Sequence, residues 1–232
     1  MGATPPPPSS LTPAWRWRPH RGPVLTSGVE AAPRSSRERI LEAACDLIAA
    51  DGIDDVRIAR VATRAGASTA LVHHYFSTRE ELLEEALIHS FERAGEERFG
   101  EQGEVDETAT QALARAIRDC LPLPGPQERE WVLWVELWLR AVREPGLRPV
   151  AARLYERYRR WMAALILAGT ESGEFRSDVD VDAVADVAMA LLDGTGVRAL
   201  IDDPAMDVEA ARTLVAERLA TELGIEAAAL AD

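Results

Sequence analysis

Residues 57–81 constrain the fold of this chain more than any other segment. Ile58, Val61, Ala62 and Ala65 recur at three- and four-residue spacing, the stripe of a short amphipathic helix. Gly66 follows the stripe and suits a left-handed helix stop. Ser68 then stands as an N-cap, its hydroxyl able to accept from an orphan backbone N–H. A second short helix is expected over Thr69–Tyr75, with Val72 and Phe76 turned inward and polar tips left outside. Thr78-Arg-Glu-Glu81 is a capping box that opens a third helix. A helix, a glycine turn and a short second helix make a helix-turn-helix, which presents its second helix to the DNA major groove.

The flanking pattern is also helical. Ser35-Ser-Arg-Glu38 is a capping box ahead of the stripe Ile40, Ala44, Leu47 and Ile48, and Gly52 supplies the stop. A long helix is expected from about Arg79 to Gly100. Further helices are expected near 106–121, 128–144, 147–172, 181–200 and 207–223, separated by proline, glycine and aspartate clusters. No strand period competes with these. The expectation is an all-α chain of about nine helices: a tail over 1–33, a DNA-binding unit over 34–94, and a larger helical unit over 95–232. The tail is expected to be disordered, being rich in proline, serine and glycine. Its Trp15-Arg-Trp-Arg-Pro-His-Arg21 run is a candidate DNA arm, with an unstructured extension or an over-long gene start the simpler reading.

A net charge of −13 argues at first against a polyanionic partner. Its distribution changes that. Residues 1–80 hold ten arginines and eight carboxylates, net +2, while 81–232 hold sixteen arginines and thirty-one carboxylates, net −15. The acidity belongs to the part expected to face away from DNA. Cys45 and Cys120 are too few for a disulfide framework, and Cys45 falls on an apolar stripe. No apolar run reaches the roughly 20 residues of a membrane span, and the N-terminus carries no secretory h-region. A cytoplasmic location is expected. His73 and His74 are neighbours on a helix and point about 100° apart, so they are poorly placed to share a metal. No metal site, cofactor or nucleophile–base pair is expected, and the enzyme reading has no support.

Several stretches together resemble the TetR family of bacterial regulators. They are Arg39-Ile-Leu-Glu-Ala-Ala-Cys-Asp-Leu-Ile48, Ala62-Thr-Arg-Ala-Gly-Ala-Ser68 and His74-Tyr-Phe-Ser-Thr-Arg-Glu-Glu-Leu82, in family order and spacing over about 60 residues. The resemblance implies DNA contacts for Ser68, Thr69, Leu71, His73, His74 and Tyr75, and a phosphate contact for Arg79. Leu71 would offer its apolar tip to a thymine methyl. One position departs from the pattern. Where the family has a Ser or Thr N-cap, this chain has Arg57, which cannot accept an N–H bond. The cap is therefore weaker or shifts to Asp55, and Arg57 is a candidate phosphate contact.

Trp131-Val-Leu-Trp-Val-Glu-Leu-Trp138, Glu144-Pro-Gly-Leu147, Gly173-Glu-Phe-Arg176 and Leu192-Asp-Gly194 resemble the C-terminal domain of the BetI-like branch. The resemblance implies that the helical unit over 95–232 is a ligand-binding and dimerisation domain, with a small-molecule effector and a homodimer on a double-stranded operator, most often as a repressor. Trp131, Trp134 and Trp138 share one helix face, and Trp161 is placed to approach from the next helix. These are candidate pocket walls for a hydrophobic or cationic effector, with plain core as the simpler reading. The last two long helices would form the dimer seam through Val184, Val187, Leu191, Gly194, Val197, Leu214, Val215 and Leu219. Glycine inside the helical run at Gly194-Thr-Gly196 is attributed to close approach across that seam. The alternative is a helical adaptor or sensor that has lost DNA binding.

Overall fold

A computed structural model describes residues 35–100 and 107–231 of the chain. The tail over 1–33, with its tryptophan–arginine run, lies outside the described residues. The order is α1 (Ser36–Asp51), α2 (Ile58–Ala65), α3 (Thr69–Tyr75), α4 (Arg79–Gly100), α5 (Ala109–Asp119), α6 (Pro126–Arg143), α7 (Arg148–Ser172), α8 (Val181–Leu200), α9 (Val208–Leu223) and α10 (Ala228–Ala231). No strand occurs among the described residues. The helix beyond the expected set is the single turn α10, which follows Gly224.

Local chemistry explains most helix ends. Ser35 and Glu38 form the reciprocal capping box at α1, and Gly52 closes that helix at φ 79°. Gly66 ends α2 in the left-handed region at φ 63°, and the Ala67 N–H reaches back to the Ala62 carbonyl. The Ser68 hydroxyl accepts the Leu71 N–H at 3.1 Å and opens α3. The start of α2 differs: Arg57 is its N-cap and no side chain caps it. Of the two outcomes expected there, the weaker cap is the one found.

The helices pack around two cores. The first joins Ile40, Ile48, Val61, Val72, Phe76 and Leu83 of the N-terminal helices. Trp131, Leu133, Trp134, Leu137 and Leu154 belong to the same core. Burying each such side chain stabilises the fold by roughly 1.5–3 kcal/mol. This core crosses the expected boundary at 94/95, because α4 spans it and α6 packs on both sides. The second core lies among α5, α7, α8 and α9, sealed by Leu230. Residues 34–232 accordingly cluster as one compact unit.

Candidate nucleic-acid interface and effector pocket

The outer face of α3 carries Thr69, Ala70, His73, His74 and Tyr75, all exposed. Val72 and the following Phe76 are fully buried and anchor the opposite face. The Arg37 guanidinium lies 5.6 Å from the Phe76 ring centre and covers it from outside. His74 and Tyr75 meet edge to face at 5.2 Å, so the two rings present a fixed pair of polar tips. Ser68 is exposed beside its capping bond. Leu71 is half-buried against the first core, so only part of its side chain is available to a base edge.

The Arg79 guanidinium is engaged inside the protomer. Its Nε donates to the Val56 carbonyl at 2.6 Å, and its Nη2 to the Ile53 and Asp54 carbonyls at 2.6 and 3.0 Å. A planar five-donor fork at the start of α4 thus satisfies two carbonyls of the 3-10 turn Ile53–Asp55 and that of Val56 just after it. The side chain therefore fastens α4 to the loop before α2. Arg57 is exposed. Arg60 pairs with Asp51 at 2.6 Å and Arg64 with Asp46 at 2.8 Å, so α1 carboxylates neutralise part of the positive charge of α2.

A cavity of about 50 Å³ lies among α4, α6, α7 and α8, with Cys120 at its edge. Its walls are Phe91, Trp131, Trp134, Tyr158, Met189 and Leu192, joined by the carboxylates Glu130 and Asp193. Phe91 and Trp134 have ring centres 4.1 Å apart, and Trp134 and Tyr158 are 6.0 Å apart. Trp131 and Trp134 are thus both core and wall. Trp138 stands behind them, 5.3 Å from Trp134, and Trp161 continues the stack from Tyr158 at 6.4 Å; neither lines the cavity. The Trp131 indole N–H donates to the Cys120 carbonyl at 3.1 Å, which fixes the ring plane. Burial pushes the Asp193 carboxyl up to about 6, while the Tyr155 hydroxyl, donating to Asp193 Oδ2 at 2.6 Å, works in the opposite direction. Phe91, Glu130, Tyr158 and Asp193 were not legible as site residues from spacing. The available signal was a single acid, Asp193, directly after the apolar run 187–192. Cys45 donates to the Ala86 carbonyl and burial pushes its thiol up to about 12, so it stays protonated.

The expected seam residues separate into two groups. Val184, Val215 and Leu219 are buried in the second core of the protomer and have no surface to offer a partner. Amphipathic helices bury one face at home, and these three lie on it. Val187, Leu191 and Val197 are half-buried, whereas Gly194 and Leu214 are exposed. Gly196 has a reason inside the protomer: a Cβ there would meet Trp131 ring carbons at 2.3 and 2.4 Å. Nothing lies within 4 Å of a Cβ built on Gly194.

The sequence matches two family models. Residues 40–86 match the bacterial regulatory proteins of the tetR family, and 109–224 match the BetI-type transcriptional repressor C-terminal domain. The HTH-type transcriptional regulator BetI of Brucella anthropi is 25% identical over 187 residues, covering 81% of this chain and 93% of that protein. Among solved structures, a Saccharomonospora viridis protein in complex with choline is 32% identical, with a TM-score of 0.70, covering 78% of this chain and 93% of that one. A TetR transcription regulator from Haloarcula marismortui is 25% identical, with a TM-score of 0.67, covering 82% and 96%. These are families of transcriptional regulators. Among the described residues no helix is long and apolar enough to cross a membrane.

Proposed function

We propose that this chain, which belongs to the TetR family of bacterial regulatory proteins and carries a BetI-type C-terminal domain, is a homodimeric cytoplasmic repressor released from its operator by a small cationic effector. DNA-binding transcriptional regulation is the activity of the family and of this chain. The finer parts of the proposal concern the residues and the ligand. Two α3 helices would enter successive major grooves of a palindromic site, each using Thr69, Ala70, His73, His74 and Tyr75. Ser68 and Arg57 would hold phosphates. Gly194, Leu214 and the outer edges of Val187, Leu191 and Val197 would meet the partner protomer.

The observation that carries the effector reading is the wall of the α6–α8 cavity. Four aromatic rings and two carboxylates face one small space. Ring faces attract a cation, by about 0.5–2 kcal/mol each depending on desolvation. A nearby carboxylate offsets much of the cost of taking that charge out of water. A neutral apolar ligand would gain from the rings alone and would strip water from two acids without supplying a partner. The Saccharomonospora viridis protein, 32% identical, carries choline, which makes quaternary ammonium compounds the first to try. Release requires that the effector bind more tightly to a dimer shape unsuited to the operator than to the suited one.

The test is a gel shift with an operator selected from random duplexes, titrated with choline and with 3,3-dimethyl-1-butanol, its neutral isostere. Choline should dissociate the complex at least tenfold more effectively. Equal potency of the two would remove the cation reading, and no duplex enriched at all would favour a helical adaptor.

A further inference from the structure

One hydrogen bond joins the cavity wall to a side chain that packs on the first core. Asp193 on α8 lines the cavity, and the Tyr155 hydroxyl on α7 donates to it at 2.6 Å. That length is in the range of a charge-assisted O–H···O⁻ bond. The Tyr155 ring packs against the first core, which α1, α2, α3 and α4 share with α6 and the start of α7. Val150 and Ala151, one turn earlier on α7, pack there as well, and so do Val197 and Leu200 on α8. One residue thus touches the pocket's carboxylate with its tip and, with its ring, the core that joins the N-terminal helices to α6 and α7.

The size of the cavity gives this bond a consequence. At about 50 Å³ it is far below the roughly 300–1,000 Å³ of a small-molecule site, so an effector must push its walls apart. Trp131 is held by its indole bond to Cys120 and by the flat surface of Gly196. Trp134 is clamped between Phe91 and Tyr158. The α7–α8 wall, with Tyr158 on one side and Met189 and Leu192 on the other, is closed at this level by Tyr155–Asp193.

We propose that the Tyr155–Asp193 hydrogen bond is a latch between effector pocket and DNA reader: an entering cation parts α7 from α8 and takes the charge of Asp193, Tyr155 lets go, and the core beneath α4 loses the contact that fixes α3. The proposal rests on the cation reading of the pocket given above. Tyr155 is on this account a positioning residue, which touches neither DNA nor effector.

Two variants of the full chain test it, each with two readouts. Operator affinity is measured without any ligand by fluorescence anisotropy, and choline affinity by calorimetry. Tyr155→Phe keeps the ring and removes the latch. It should bind choline three- to tenfold more tightly and the operator three- to tenfold more weakly, because linkage moves the two in opposite directions. Asp193→Asn keeps an acceptor for the Tyr155 hydroxyl and removes the charge. Its choline affinity should fall at least tenfold, and its operator affinity should fall less than that of Tyr155→Phe, which lacks the bond altogether. Unchanged affinities in Tyr155→Phe overturn the latch, and so does a fall in both, which is what structural damage gives. If the wild-type chain ignores choline, the cation reading fails. The operator measurement on Tyr155→Phe still decides the latch in that event: weakened binding at an unchanged melting temperature supports it, and unchanged binding refutes it.

Discussion

Gly196→Ala tests how the pocket is built. A Cβ at this position would lie 2.3 and 2.4 Å from two ring carbons of Trp131 and 3.0 Å from a third. Carbon atoms sit comfortably at about 3.5–4.0 Å, so the indole must retreat by more than an ångström. It has little freedom to do so, since its N–H donates to the Cys120 carbonyl at 3.1 Å and its ring is 7% exposed. Overpacking of this kind costs about 1–3 kcal/mol, and losing the indole bond adds about 1 kcal/mol. Alanine in mid-helix returns about 1 kcal/mol over glycine. The balance is a destabilisation of about 1–3 kcal/mol, or a melting temperature lower by roughly 2–12 °C at about 2–4 °C per kcal/mol for a chain of this size. Thermal unfolding followed by circular dichroism at 222 nm reads this directly. Adding Trp131→Phe to Gly196→Ala should recover part of the loss, because the smaller ring leaves room; the two changes share a contact and must be non-additive. A Gly196→Ala protein as stable as wild type, or strict additivity with Trp131→Phe, would refute the packing argument.

Gly194→Ala provides the contrast two residues away. With open space around its Cβ it should leave the isolated protomer unharmed or about 1 kcal/mol more stable. If Gly194 lies in the homodimer seam, the same change weakens association measured by sedimentation. Arg79→Ala removes the donors to three carbonyls and should lower stability by about 1–3 kcal/mol in a melting experiment. Arg57→Ala should leave melting within about 0.5 kcal/mol, yet weaken all duplexes about equally and lower the salt slope by about 1. The Asp193 carboxyl, raised to about 6 by burial, titrates inside the useful pH range. Its folded value lies above its unfolded value, so its contribution to stability is greatest at low pH and declines as pH rises from about 4 to above 6. Cation affinity should move the opposite way, rising between pH 5 and 7 as Asp193 ionises, and Asp193→Asn should flatten this profile in calorimetry.

Helix placement was legible in the sequence because the signals are local. The Ser35–Glu38 capping box, the Gly66 stop and the Ser68 cap act within four or five residues of chain, and each recurs in the structure. Val72 and Phe76 followed from helical period. Partnerships between distant segments were another matter. The fork of Arg79 finds carbonyls about 25 residues earlier, a pairing no local pattern encodes. The reason for Gly196 is Trp131, 65 residues before it, rather than a second protomer. Val184, Val215 and Leu219 share an apolar period with any seam residue, and only packing shows that α8 and α9 bury them at home. The aromatic wall was visible in part, through Trp131 and Trp134. Its acidic members, Glu130 and Asp193, were not, since an acid beside an apolar run gives no sign of what it faces.

The central claim is that the exposed face of α3, presented twice by a dimer, selects a DNA sequence. Selection of bound duplexes from a random pool by the full chain tests this most directly. The account predicts enrichment of a palindromic consensus, with half-site centres separated by whole helical turns, and loss of that consensus when His73, His74 and Tyr75 are replaced by alanine at unchanged melting temperature. Enrichment of no sequence, or a consensus that survives the triple substitution, would contradict it.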